Sequence, residues 1–226
     1  MSMLYSLAAV LIAYAVGSLS FAVIVSRAMG LSDPRSYGSG NPGATNVLRS
    51  GNRWAAVITL ALDALKGYLP VMAALILAPR FGFDAMTIGF VGLAAFVGHL
   101  WPLFFHFKGG KGVATAAGVL LAINPLLGLA TLATWVLVAL FFRYSSLASL
   151  VAAAFAPFYQ LLIWGGSPLV LTIAVMSLLL FWRHSANLQK LIRGTESKLG
   201  QKASVAGPAT AATGAHKSHP KRKGRH

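Results

Sequence analysis

Six stretches of the chain are apolar almost throughout: about Leu4 to Val25, Trp54 to Ala78, Ala85 to Phe105, Val113 to Phe142, Leu147 to Trp164 and Pro168 to Trp182. Hydrophobic residues make up 57% of the 226 positions and charged residues only 10%, with a mean hydropathy of +0.70. A soluble domain of this length cannot cover that much apolar surface, so lipid must be the solvent for most of it. In hydrocarbon every backbone N–H and C=O needs a partner within the protein, and a single segment meets that demand only as a helix. The stretches therefore predict transmembrane α-helices and leave no room for a separate soluble domain.

Val113 to Phe142 is too long for one crossing, because at about 1.5 Å per residue it exceeds the roughly 30 Å hydrocarbon core. Asn124-Pro125 near its middle is a break signal, since proline lacks an N–H and disfavours helix at the residue before it. Splitting the stretch there gives about seven spans. Charge parity supports the split: Arg27, Arg35, Arg49, Arg53, Lys108, Lys111, Arg143 and everything from Arg183 onward then share one face. The other face keeps only Arg80 and Asp84. The positive-inside rule makes the basic face cytoplasmic, with the N-terminus outside and the C-terminus in the cytoplasm. No basic residue precedes Arg27, so the first segment reads as a retained span and not a cleaved leader. The expected fold is an all-α integral membrane protein over residues 1–198. A disordered basic cytoplasmic tail is expected over 199–226, where Ala, Gly, Thr, Ser and Lys replace the apolar residues.

Three short polar segments fall on that one face. The first is Gly38-Ser39-Gly40-Asn41-Pro42-Gly43-Ala44-Thr45-Asn46, closed by Arg49. Asn41-Pro42-Gly43 is a turn signal, and Ala44 can begin a helix after it. Glycines allow close backbone approach, free amides at a helix start attract anions, and Arg49 can grip a phosphate with two N–H groups. The second is Lys108-Gly109-Gly110-Lys111-Gly112-Val113-Ala114-Thr115. It is not a nucleotide-binding P-loop, because Gly112 follows Lys111 where a Ser or Thr is required. Lys111 instead sits between glycines at the mouth of a helix, its charge and the nearby amides sharing one space. The third is His184-Ser185-Ala186-Asn187, followed by Arg193-Gly194-Thr195-Glu196. His184 and Asn187 share a helix face if the last span runs past Trp182. Glu196 is expected to assist Arg193 or a backbone donor and not to act as a base. Together the segments predict a pocket for an anion, most plausibly phosphate.

Other features narrow the chemistry. Cysteine is absent, which excludes disulfides, thiolate metal sites and a cysteine acyl-enzyme. No cofactor or metal is expected, and the tail's His216 and His219 lack partners at ligand spacing. The net charge of +15, from 19 Lys and Arg against four acids, reads as a topology signal and an attraction for anionic lipid or substrate. No nucleic-acid partner is expected. Asp63 and Lys66 stand three apart inside the second span and predict a buried pair that fixes helix packing, although intramembrane charges also line functional pockets. His99 reads as a hydrogen-bonded interior residue.

These residues resemble the bacterial acyl-phosphate:glycerol-3-phosphate acyltransferases, the PlsY-type enzymes. The matching stretches are GSGNPGATNVLR from Gly38 to Arg49, GHLWPLFFHFKGGKGVAT from Gly98 to Thr115 and HSANLQKLIRGTESK from His184 to Lys198, with DALKG around Asp63 and Lys66. The resemblance implies transfer of an acyl group from acyl phosphate to the 1-hydroxyl of glycerol 3-phosphate. The products are 1-acylglycerol 3-phosphate (lysophosphatidic acid) and phosphate, in the first acylation of phospholipid synthesis at the cell inner membrane. An acyl-phosphate-forming enzyme would act before this one and a second acyltransferase after it. Glycerol 3-phosphate is placed against Ser39, Arg49, Lys111, His184 and Asn187. The acyl phosphate headgroup is placed on the turn of Gly40, Asn41, Gly43, Ala44, Thr45 and Asn46. Gly109, Gly110, Gly112, Thr115 and Glu196 complete the substrate-binding set.

No histidine has an aspartate five residues later, so the H-x4-D pair of acyl-CoA-dependent acyltransferases is missing. His184 can serve as base or as phosphate ligand, and the substrate's own phosphate can also accept the hydroxyl proton. The favoured scheme is direct attack, with His184 as ligand and catalysis by positioning and oxyanion stabilisation. The competing class is a membrane transporter of organic phosphates. Transport predicts access from both faces and commonly internal repeats, whereas the outer turns here are nearly uncharged and no repeat is seen.

Overall fold

The apolar stretches fold as helices, and no strand occurs among the described residues, 2–200, of this computed structural model. In chain order the helices are α1 (Ser2–Gly17), α2 (Phe21–Ala28), α3 (Ala44–Leu48), α4 (Arg53–Phe81), α5 (Ala85–Leu100), α6 (Val113–Ile123), α7 (Pro125–Phe142), α8 (Ser145–Trp164), α9 (Pro168–Arg183) and α10 (Ser185–Ile192). A single 3₁₀ turn covers Leu103–Phe105. Short polar side chains set several starts. Asn52 accepts from the Ala55 N–H to begin α4, and Asp84 accepts from the Thr87 N–H to begin α5. Gly82 closes α4 in the left-handed conformation at φ 70°.

The expected break at Asn124-Pro125 is present. The Asn124 side chain accepts from the N–H groups of Leu126 and Leu127, and Pro125 takes the first position of α7, where its missing N–H costs nothing. Four helices are long and apolar enough to cross a membrane alone. Two bent pairs add one crossing each if counted as single spans, α1 with α2 at 41° and α9 with α10 at 59°. The remaining apolar helix, α6, has only 11 residues. It rises about 16 Å, roughly half the hydrocarbon thickness.

Without a hydrophobic drive between helices in lipid, close backbone approach and interhelical hydrogen bonds hold a bundle together. The sequence meets this with small residues at i, i+3 spacing. On the α4–α6 contact, a Cβ added at Gly67 would run into the Thr115 carbonyl, and one at Gly118 into the Ala64 carbonyl. α1 and α5 interlock in the same way through Gly17 against Ala95 and Gly98 against Tyr14. Phe96, Leu100, Val91, Val71 and Val119 fill the centre between them. Leu140, Phe141, Leu162 and Leu171 face outward, as lipid-facing positions can. The α4–α6 contact fixes the start of α6 and with it the glycine loop just before.

At the other end of the chain, the Leu199 N–H donates to the Arg143 carbonyl at 2.7 Å. The basic tail expected from 199 onward lies, from 201 to 226, outside the described residues.

Candidate active site

The first polar segment is a loop built around one amide. Asn46, 2% exposed, accepts the Ser39 N–H at 3.0 Å and donates to the carbonyls of Pro34 at 2.6 Å and Tyr37 at 3.2 Å. Its hydrogen-bonding groups are therefore spent inside the loop, and its part is to shape the turn that presents Gly40, Asn41 and Gly43. The helix expected after Gly43 is only the five-residue α3, too short for much of a dipole. The groups left free to meet an anion are the exposed Ser39 and Gly40 and the half-buried Arg49. Ala44 and Thr45 form the first turn of α3, with Thr45 exposed toward Arg49's side.

The second segment is held from two sides. Arg183, at the end of α9, donates from Nε to the Gly110 carbonyl at 3.1 Å and from Nη2 to the Gly109 carbonyl at 2.8 Å. On the far side the Gly110 N–H donates to the His99 carbonyl at 3.1 Å. Gly112 then turns the chain into α6 at φ 83°, a left-handed value that L side chains rarely adopt. Gly109, Gly110 and Gly112 are all buried, and the loop lies against the Pro42 carbonyl of the first segment. A cleft of about 450 Å³ opens between the two loops, lined by Arg35, Gly40, Pro42, His106, Lys108 and Gly109.

The third segment completes the cluster. Lys111 Nζ donates to Asn187 Oδ1, Asn187 Nδ2 donates to Glu196 Oε1 at 2.7 Å, and Ser146 Oγ donates to the same oxygen at 2.7 Å. Arg49 Nη2 donates to Ser197 Oγ at 2.6 Å. A second, smaller cleft is lined by Thr45, Arg49, Ser145, Ser197 and Lys198, among others. The last span does not run straight past Trp182, as the helix-face argument required. It bends by 59° at His184, which is 2% exposed, while Asn187 on α10 reaches Lys111.

Electrostatics define what the cluster lacks. Burial pushes the Lys111 ammonium down to about 8; Glu196 pulls it up, while Arg183, Lys190 and Arg49 push it down. The site thus holds more positive charge than its own carboxylate balances. An arriving phosphate would relieve that imbalance. Phosphate needs Lys111 charged, and the group loses its proton as pH rises through about 8. We therefore expect kcat/KM for a phosphate-bearing substrate to fall as pH climbs from 7.5 to 9.5. A flat profile across that range would show that Lys111 does not touch the phosphate.

His184 carries a tautomer set by its backbone partner. Nδ1 lies 2.9 Å from the Leu180 carbonyl, an atom that can only accept, so the proton sits on Nδ1 and Nε2 presents a lone pair. Burial first, then Lys111 and Arg183, push the imidazole down to about 4 despite that hydrogen bond. With its proton on Nδ1, Nε2 can accept from a hydroxyl but cannot donate to phosphate, a different use from the ligand role favoured from the sequence.

Comparison with known proteins identifies the family. The sequence model of the family described as glycerol-3-phosphate acyltransferase matches residues 7–194. The chain belongs to this family. It is 65% identical over 190 residues to the glycerol-3-phosphate acyltransferase of Ralstonia nicotianae, covering 84% of this chain and 92% of the relative. The Paraburkholderia phytofirmans protein of the same description is 62% identical over 191 residues, covering 84% and 89%. Among solved structures, PlsY, an integral membrane glycerol 3-phosphate acyltransferase, is similar in its glycerol 3-phosphate form with a TM-score of 0.81 and 38% identity, covering 87% of this chain and 96% of that one. Its lysophosphatidic acid form gives 0.79 and 36%, covering 86% and 95%. This acyltransferase chain is accordingly an all-α integral membrane protein.

Two residues named from the sequence keep other company than expected in this acyltransferase. Thr115 is fully buried, and its hydroxyl lies 3.2 Å from His99 Nδ1, so it faces away from both clefts. Glu196 partners Asn187 and Ser146, while the Arg193 it was expected to assist is exposed. Ser39 is exposed on the first loop, and its described contacts stay within that loop. Sequence reasoning missed Arg183, Ser146 and Ser197. Arg183 had a readable signal, a cation directly before the only histidine of the third segment. Ser146 had none, because a serine in the first turn of a helix is ordinary.

Proposed function

We propose that this membrane acyltransferase joins two phosphate-bearing substrates, glycerol 3-phosphate as acceptor and acyl phosphate as donor, and releases lysophosphatidic acid and inorganic phosphate. The observation that carries the reading is a pair of cationic clefts, one of them bordered by Lys108 and Gly109 of the Lys111 loop. One is lined by Arg49 and Ser197 and the other by Arg35, His106 and Lys108. Glycerol 3-phosphate is assigned to Arg49, Lys111, Asn187 and Ser39. The donor headgroup is assigned to the Gly40–Asn46 turn and the cleft beside Gly109. The 1-hydroxyl oxygen attacks the acyl carbonyl, the bond from that carbon to the phosphate oxygen breaks, and phosphate leaves with the proton. His184 Nε2 receives the hydroxyl's hydrogen bond and aims it. Because acyl phosphate is a mixed anhydride with a good leaving group, a weakly basic imidazole suffices. An enzyme that activates fatty acyl chains as acyl phosphates must supply this donor, and a second acyltransferase would consume the product.

Purified protein is expected to release phosphate from synthetic acyl phosphate only when glycerol 3-phosphate is present, without CoA, nucleotide or metal. Equal rates with acyl-CoA would remove the donor assignment. Phosphate uptake into vesicles without turnover would favour a transporter.

The site is assigned to the cytoplasmic face of the inner membrane, with seven passages and the N-terminus outside. Single cysteines at Ser50, Arg143 and Lys198 should then be labelled from the cytoplasm and one at Ser167 from the opposite side. Labelling of position 143 together with 167 would break this topology.

A further inference from the structure

The bundle contains a set of buried polar groups that neither cleft uses. Asp63 and Lys66, each 2% exposed, form an ion pair at 2.8 Å one helical turn apart on α4. Lys66 Nζ also donates to the Leu19 carbonyl at 2.6 Å, one of the groups freed by the break between α1 and α2. On α5, His99 Nδ1 lies 3.6 Å from Asp63 Oδ1 and 3.2 Å from Thr115 Oγ1, at the first turn of α6. The His99 carbonyl receives the Gly110 N–H, and a Cβ at Gly110 would overlap His99 Nε2, so the loop rests directly on this residue.

Stability alone does not account for the arrangement. Removing two charges from water costs several kcal/mol per ion, and well-packed apolar residues in their place are often neutral or stabilising. Inside a membrane such groups are retained chiefly where function needs them. Here the chain of contacts runs from a broken helix to the underside of the glycine loop. Arg183 grips the Gly109 and Gly110 carbonyls from above, and His99 holds the Gly110 N–H from below. Lys111 is the next residue.

We infer that Asp63, Lys66, His99 and Thr115 form a positioning network that seats the Gly109–Gly112 loop and so sets where Lys111 meets the substrate phosphate. The inference rests on the reading of Lys111 as a phosphate ligand. None of the four touches substrate. Each acts through the next, with Asp63 orienting His99, His99 and Thr115 holding the start of α6, and Lys66 balancing Asp63.

The test is glycerol 3-phosphate binding to the full-length protein in detergent by titration calorimetry, together with steady-state kinetics. Thr115→Val keeps the shape and removes the hydroxyl. It should raise both Kd and KM for glycerol 3-phosphate about tenfold while kcat stays within about threefold. Thr115→Ser should restore wild-type affinity. The double variant Asp63→Asn with Lys66→Met removes both charges without stranding one, and should show the same signature. Unchanged affinity in folded Thr115→Val, or in the folded double variant, overturns the network's role. So does a fall in folded yield with normal affinity in the protein that remains. Binding is read without a donor, so an error in the acyl phosphate assignment does not touch the result. Lys111→Ala serves as the control for the underlying reading. If it binds glycerol 3-phosphate like wild type, that reading has failed, whatever the network variants show.

Discussion

Lys111→Ala is expected to lower kcat/KM for glycerol 3-phosphate by about 30- to 1000-fold, equivalent to about 2 to 4 kcal/mol for a lost buried phosphate contact. The size of the effect follows from surroundings and not from charge alone. Lys111 is held low, at about 8, by burial and by repulsion from Arg183, Lys190 and Arg49. Its free ammonium is poorly stabilised until an anion arrives, so much of its interaction energy is released on binding. Removing it should not unfold the protein, because its one described side-chain hydrogen bond goes to Asn187 and α6 is anchored to α4 by the Gly67 and Gly118 contacts. Membrane insertion and thermal unfolding should stay near wild type. A loss confined to kcat, with acceptor affinity untouched, would place Lys111 on the donor side.

His184→Ala should reduce turnover at saturating concentrations of both substrates by about 10² to 10³, the range for losing a positioned acceptor of the reacting proton. Because the imidazole is held down to about 4, the wild-type profile should show no limb from this residue between pH 5.5 and 7.5. A fall near pH 6 is still expected, since a phosphate monoester dianion takes up a proton at about that pH. That limb belongs to the substrate and should persist in His184→Ala. Its disappearance in the variant would mean that His184 titrates near 6 and works as a conventional base. A variant with raised KM and normal kcat would return His184 to phosphate binding.

The fold was readable because lipid permits few solutions. Long apolar stretches had to be helices, and the proline after Asn124 had to end one. The i, i+3 spacing of Asp63 and Lys66 announced the ion pair that forms. The three segments that gather in the candidate site were marked in the sequence, but their contacts were not. Asn46 looks like a free donor in a list of residues, yet its amide is spent on Pro34, Tyr37 and Ser39. Thr115 follows the glycine loop in sequence but, at the first turn of α6, points back toward His99. Ser146 and Ser197 enter the site through the fold of α8 and the segment after α10, and no local spacing encodes that. The bend at His184 was equally hidden, since nothing around it is a helix breaker. It arises where a buried histidine must stay inside while the polar residues after it leave the bundle.

The shortness of α6 bears on how a greasy substrate is handled. An 11-residue helix joined by a single asparagine to the 18-residue α7 rises about 10 Å less from their shared turn, which would set the glycine loop below the level where α7 ends. A donor whose reactive carbonyl is carried on a fatty chain can then be met at depth. Had the loop stood level with the headgroups, each methylene drawn out of hydrocarbon to reach it would cost about 0.8 kcal/mol. On the proposed assignment the acceptor would make the opposite journey, descending from water as a hydrated anion, and the cations around Lys111 would favour that descent. On that proposal, the missing turns of α6 would set the level at which an oily molecule and a salt can react with neither leaving its own phase completely.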